Sequence, residues 1–158
     1  MIRIFLGKED QSRFKEKYGF FLKKNKPNET IWIHGASVGE ILSIIPIVRK
    51  FEEDKRIKRI LITSSTTSSS HILSKFKFKK TVHQFYPFDL NFLTKHFINH
   101  WKPKLAIFVD SEIWPNMFKN LDIKNIPLVI LNTRITKKTF NKWQIFPKFA
   151  NEVFSKIS

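Results

Sequence analysis

Trp32-Ile33-His34-Gly35-Ala36-Ser37-Val38-Gly39-Glu40 is the stretch on which the reading of this chain turns. A β-rich run at 31–34 meets a turn of small residues. Glu40 then opens an apolar-periodic segment, with Ile41, Ile44, Ile45, Val48 and Phe51 on the i, i+3, i+4, i+7 stripe of a helix buried on one side. Strand, tight turn and helix in that order place a carboxylate at the carboxyl end of a buried strand, where open α/β sheets put their ligand crevices. Glu40 is then either a catalytic base or the first-turn acid of a helix, the latter a contribution of roughly 0.3–1 kcal/mol.

Three further apolar runs, at 60–63, 105–109 and 127–131, read as strands. Their near-continuous Ile, Leu and Val suit strands covered on both faces, as in a parallel sheet. A weaker strand candidate at 81–86 ends at Pro87. Helical patterns fall between the runs: Ile72, Leu73 and Phe76; Leu90, Leu93, Phe97 and Trp101, stopping before Pro103; a short segment at 116–121; and a last one at 139–157 that Pro147 breaks or kinks. Pro46 is expected to kink the segment after Glu40 or leave its first turns irregular. The Ser-rich run 64–70 reads as a loop or a helix N-cap at a strand end, where a ligand loop belongs. The alternation predicts a Rossmann-like, doubly wound α/β domain with a mostly parallel sheet. It covers 28–158, behind a basic, partly helical lead-in at 1–27.

With 158 residues and 42% hydrophobic content, the chain can bury the core of one domain. It has no cysteine, which excludes disulfides and thiolate metal sites. No run of about 18 apolar residues is present to span a membrane. Lys and Arg number 29 against 13 Asp and Glu, a net charge of +16 that attracts polyanions. The densest early cluster is Arg13, Lys15, Lys17, Lys23, Lys24 and Lys26. No zinc finger, RNA-recognition signature or basic zipper accompanies it, so nucleic acid is not the expected partner. A nucleic-acid-binding module would rest on the charge alone.

Several ordered motifs together resemble the N-terminal half of the bacterial Kdo (3-deoxy-D-manno-octulosonic acid) transferases of lipopolysaccharide synthesis. Gly7-Lys8-Glu9-Asp10, Arg13, Glu16 and Gly19 are similar to the family's lead-in. His34, Ser37, Val38, Gly39 and Glu40 resemble its His-x-x-Ser-Val-Gly-Glu signature. Thr63, Ser64 and Thr66 resemble a Thr-rich loop, and Pro87 with Asp89 a Pro-x-Asp element. The segment Asp110-Ser111-Glu112-Ile113-Trp114-Pro115-Asn116 resembles Glu-Thr-Glu-Leu-Trp-Pro-Asn. Asn132-Thr133-Arg134 with Thr136 and Thr139 resembles Asn-Ala-Arg-Leu-Ser.

The resemblance implies the N-terminal half of a GT-B glycosyltransferase. That half receives a lipid A precursor carrying two phosphates, while a second domain binds the donor, CMP-Kdo. Transfer inverts the anomeric centre, with no metal ion or cofactor expected. Glu40 is implied as the base, and Asp110 as the acid that helps stabilise the transition state. In the family that acid is a Glu, so the carboxylate here is one methylene shorter. His34, Ser37, Gly39, Thr63, Ser64, Glu112, Asn132 and Arg134 are the candidate substrate-binding residues. His34 is a second base, an orienter of Glu40 or a structural histidine, and Arg134 a holder of an acceptor phosphate or a surface ion pair. Trp114 packs in the core or lines the crevice.

The family has Pro and Gly where this chain has Thr67 and Ser69, a sign of relaxed constraint if that turn needs a positive φ. The donor domain and the family's hydrophobic N-terminal anchor are expected to be absent. The chain then works with a separate donor-binding partner, or is a non-catalytic truncated remnant that at most binds anionic glycolipid. Its expected place is peripheral, at the cytoplasmic face of the inner membrane. The basic lead-in would meet the anionic surface there, at about 1 kcal/mol per Lys or Arg.

Overall fold

A computed structural model describes residues 12–21, 30–110 and 112–158. The apolar runs form one five-stranded sheet: β1 Thr30–His34, β2 Arg59–Ser64, β3 Thr81–Phe85, β4 Pro103–Val109 and β5 Leu128–Leu131. Between and after them lie α1 Val38–Glu53, α2 Thr67–Ser74, α3 Asn91–Trp101, α4 Pro115–Ile123, α5 Lys137–Gln144 and α6 Pro147–Phe154. All strand pairings are parallel, in the order β3-β2-β1-β4-β5. This is the expected Rossmann-like, doubly wound arrangement. The order reverses between β1 and β4, and that switch point opens a crevice at the carboxyl ends of the strands.

Successive strand residues point to opposite faces, and the two faces differ in chemistry. One carries Trp32, Leu61, Ala106 and Phe108, and packs on Phe97, Ile98 and Trp101 of α3, on Met117, Phe118 and Leu121 of α4, and on Val153 of α6. The other carries Ile33, Ile60, Ile62, Ile107 and Val109, and packs on Ile41, Ile44, Ile45 and Val48 of α1 and Leu73 of α2. One core layer is therefore rich in aromatic rings, while the fully buried residues of the other are aliphatic, with Phe51, Phe76 and Phe78 at its margin.

Three local readings change. The weak candidate at 81–86 is a full edge strand, paired with β2 from Thr81 to Phe85. The run 64–70 is mostly helix. Thr66 is an N-cap whose hydroxyl accepts from Ser69 N–H at 3.2 Å, and Thr67 is the first helical residue. A Pro suits that position well. Ser69 sits in the first turn of α2, where no positive φ is needed, and its hydroxyl donates to Ala36 O at 3.3 Å. Thr67 and Ser69 thus fit their sites, and the sign of relaxed constraint read from them disappears. α1 runs through Pro46, which is exposed. The ring leaves the Leu42 carbonyl without its usual partner. Pro147, by contrast, divides the last helical segment, with 145–146 between α5 and α6.

The described part of the lead-in forms a 3-10 helix, Phe14–Tyr18, clasped to the β3 edge. Arg13 donates to both Glu16 oxygens, at 2.6 and 3.0 Å, and Glu16 Oε2 accepts from Phe85 N–H at 2.8 Å. Gly19 closes this helix at φ +85, which suits glycine. Lys17 is buried and donates to Ser65 O at 3.3 Å. Two cations of the early basic cluster, Arg13 and Lys17, are therefore turned to internal use. Lys23, Lys24, Lys26 and the Gly7–Asp10 motif residues lie outside the described residues.

The aliphatic layer sets a stability test. Ile62→Ala should cost about 2–5 kcal/mol in urea unfolding. Lys104→Ala, exposed near the start of β4, should stay within about 0.5 kcal/mol.

Candidate functional site

The β1–α1 turn builds the first wall of the crevice. Ser37 is the N-cap of α1, its hydroxyl 3.3 Å from Glu40 N–H. The Glu40 carboxylate reaches back, accepting from Ala36 N–H at 2.7 Å and from the Ser37 hydroxyl at 2.7 Å. This is a capping-box arrangement, with the acid at the third helical position. Two donors therefore orient a half-buried carboxylate at the carboxyl end of β1. Gly35 is favoured by close packing, since a Cβ there would lie 3.2 Å from Glu40 Cβ. Gly39 is different. A Cβ there would meet only Ser37 Oγ, at 3.9 Å, so the fold itself does not need this glycine.

His34 ends β1 fully buried. Its Nδ1 lies 2.9 Å from Thr63 Oγ1, which also accepts the Trp32 indole N–H at 2.9 Å. Its Nε2 faces Glu112 Oε2 at 3.6 Å. Among the described residues the Glu40 carboxylate takes its bonds from Ala36 and Ser37, so Ser37 and not His34 orients Glu40. Thr63 and Ser64 are both fully buried. Ser64 Oγ lies 2.9 Å from His83 Nε2, which ties β2 to β3.

The segment after β4 forms the opposite wall. Glu112 accepts from the Trp114 indole N–H at 3.0 Å. The His34 ring is the largest influence on Glu112. With Trp114, it holds the carboxyl below the usual carboxylate range, against the effect of burial. Trp114 is half-buried and packs 5.0 Å from the Tyr86 ring, so it lines the boundary between core and crevice. Asp110 has φ +61 and accepts from Asn132 Nδ2 at 3.0 Å. Asn132 itself has φ +59. Arg134 is exposed between β5 and α5. Ser37, Gly39, Glu40, His34 and Glu112 thus flank the switch point, Asp110 pairs with Asn132 beside it, and Thr63 and Ser64 support it from within. Among the described residues no group of three or more His, Asp or Glu is placed to hold a metal ion.

Two residues have roles the sequence did not reveal. Asp89 caps α4 from outside the helix, accepting from Asn116 N–H at 3.0 Å and Met117 N–H at 2.9 Å. Trp114 at the N-cap offers no side-chain acceptor, and Asp89 supplies it. Tyr86 lies in the aromatic face 4.1 Å from the His34 ring. Burial pushes its phenol well above the usual value, and the carboxylates of Asp89 and Glu112 add to this.

Residues 12–158 match the family described as 3-deoxy-D-manno-octulosonic-acid transferase (kdotransferase). The chain belongs to the Kdo transferase family. A Kdo transferase of Rickettsia bellii is 39% identical over 143 residues, 90% of this chain and 34% of the relative. One from Haemophilus influenzae is 33% identical over 149 residues, 94% of this chain and 35% of the relative. The chain therefore spans about a third of the length of these Kdo transferases. Among solved structures, the UDP-GlcNAc 2-epimerase of Neisseria meningitidis bound to UDP-GlcNAc superimposes with a TM-score of 0.55 at 13% identity. That match covers 82% of this chain and 39% of the epimerase, and it shows a shared fold.

The Kdo transferase Pro-x-Asp element thus has a physical role in this chain. Asp89→Ala should destabilise the domain by about 1–2 kcal/mol, measured by chemical denaturation, because two N–H groups of α4 lose their acceptor.

Proposed function

We propose that this chain supplies the acceptor-binding half of a Kdo transfer to a lipid A precursor, with Glu40 as the general base. The observation that carries the reading is the conjunction of Glu40 and Gly39. A carboxylate is oriented by two donors at the switch point, beside a glycine that the fold does not require. Gly within a helix costs roughly 0.5–1 kcal/mol relative to Ala, so open space next to Ser37 and Glu40 fits the approach of a bulky substrate. In the reaction, Glu40 takes the proton of an acceptor sugar hydroxyl. The hydroxyl oxygen bonds to the anomeric carbon of Kdo, and the bond from that carbon to CMP breaks, CMP leaving with the electron pair. Attack opposite the leaving group inverts the centre. CMP-Kdo is held by a donor-binding half. In this reading Asp110, held by Asn132, helps stabilise the transition state, and Arg134 at the rim meets an acceptor phosphate.

A substitution separates the two roles of Glu40. Gln also caps from the third helical position, so Glu40→Gln should keep the stability of the wild type. Transfer should fall about 10²–10⁴-fold. The assay supplies CMP-Kdo, lipid A precursor and the CMP-Kdo-binding half of a family relative. Gly39→Ala should leave stability within about 0.5 kcal/mol of the wild type, or raise it, and still depress transfer. Full transfer in both variants would reduce Glu40 to a helix cap.

The acceptor is a membrane lipid, and α5 and α6 offer a surface for its bilayer. Ile135, Phe140, Trp143, Pro147, Ala150 and Phe154 line a groove of about 320 Å³. Ile145 and Phe146 between the helices are 67% and 66% exposed. Lys137, Lys138, Lys142 and Lys148 surround them, all exposed. Apolar groups among cations suit an anionic interface. No described helix is long and apolar enough to cross a membrane, so contact through these helices would be peripheral. Sedimentation with phosphatidylglycerol vesicles should retain the chain, and Phe146→Asp with Lys148→Glu should release it. Equal retention on phosphatidylcholine vesicles would argue against the charge component.

A further inference from the structure

We propose that His34 and Glu112 hold one proton between them, as a buried imidazolium–carboxylate pair at the floor of the crevice. The pattern of hydrogen bonds points to it. His34 Nδ1 lies 2.9 Å from Thr63 Oγ1 and 3.2 Å from Thr63 O. The carbonyl oxygen only accepts, while Oγ1, which takes the Trp32 indole N–H, can either accept from the ring or donate to it. A hydrogen on Nδ1 suits both contacts, and the carbonyl accepts nothing else from the ring, so the Thr63 carbonyl favours a hydrogen on that nitrogen. A neutral ring would then turn a lone pair on Nε2 toward Glu112.

That arrangement is unfavourable. His34 Nε2 is buried and has no hydrogen-bond partner among the described residues. The polar group it faces is Glu112 Oε2, at 3.6 Å, the separation of an ion pair rather than a hydrogen bond. Two acceptors facing each other away from water repel, and a proton turns the contact into an attraction. The Trp114 indole N–H already serves the same Glu112 oxygen, which favours the carboxylate and leaves the proton on the imidazole. Burial of the ring disfavours a cation, and the neighbouring aromatic faces offset part of that cost. The rings of Tyr86 and Phe108 have centroids 4.1 and 5.1 Å from that of His34, within the range of cation–π attraction. Of the titratable groups against the ring, Tyr86 stays an uncharged phenol because burial disfavours its anion.

The pair joins the last residue of β1 to the segment after β4, the two sides of the switch point. His34 is thus a positioning residue that acts through Glu112, a role distinct from the base assigned to Glu40. The inference goes beyond the acceptor reading and stands whether or not a glycolipid binds.

Ring nitrogen NMR of the chain with 15N-labelled histidine tests it at neutral pH, the His34 signals being identified by their loss in His34→Gln. The expected spectrum shows both His34 nitrogens protonated. In Glu112→Gln the ring should revert to the neutral form with hydrogen on Nδ1. A neutral His34 in the wild type would overturn the proposal, and that spectrum decides even if the variant fails to fold. A cationic ring that persists in a folded Glu112→Gln would overturn it as well.

Discussion

The Thr63 hydroxyl accepts the indole N–H of Trp32 and meets the imidazole of His34, all three on the aromatic face and all fully buried. Each of the two rings brings a polar nitrogen into an apolar layer, where an unmatched donor costs about 1–3 kcal/mol. One hydroxyl on β2 settles both. It thereby fixes the ring of the final β1 residue, and the positions of Tyr86, Phe108 and Trp114 around that ring follow from packing. The geometry at the crevice is thus decided inside the sheet before any loop residue contributes.

The two core layers divide the work. The layer under α1 and α2 is built on buried Ile, Val and Leu and serves as ballast for the helix that bears Glu40. The aromatic layer carries His34 and Trp32 and reaches the surface through Trp114. The first wall of the crevice is held by a helix cap. The second is held by side chains that originate in the aromatic core. Changes in either layer should therefore reach the site through different walls.

The sequence made much of this legible. Four apolar runs marked β1, β2, β4 and β5, because near-continuous Ile, Leu and Val stand out in a sequence whether the strand is central or, like β5, at the sheet edge. β3 was fainter because Thr81, His83 and Gln84 interrupt its apolar signal. The first half of α2 was hidden by its composition: Ser and Thr at 67–70 are poor helix formers, and that half depends on the Thr66 cap and on Ser69 bonding to Ala36. Motif resemblance picked out the residues around the switch point but not their pairings. His34 meets Glu112, and Asp89 caps α4, only because the chain order reverses at β1 and β4. Such contacts leave no local pattern.

The left-handed pair at the ends of β4 and β5 has a consequence for sequence variation. Asp110 and Asn132 both adopt φ near +60 and are joined side chain to side chain. Asp and Asn are among the few non-glycine residues that accept that region readily. The Glu found at position 110 by analogy with the family motif would extend the carboxylate by one methylene, but it would place a longer side chain on a backbone that favours a short one. Asp110 is therefore more than a shortened acid. Its size matches the turn it occupies, so conformation as well as chemistry favours a short acid at position 110.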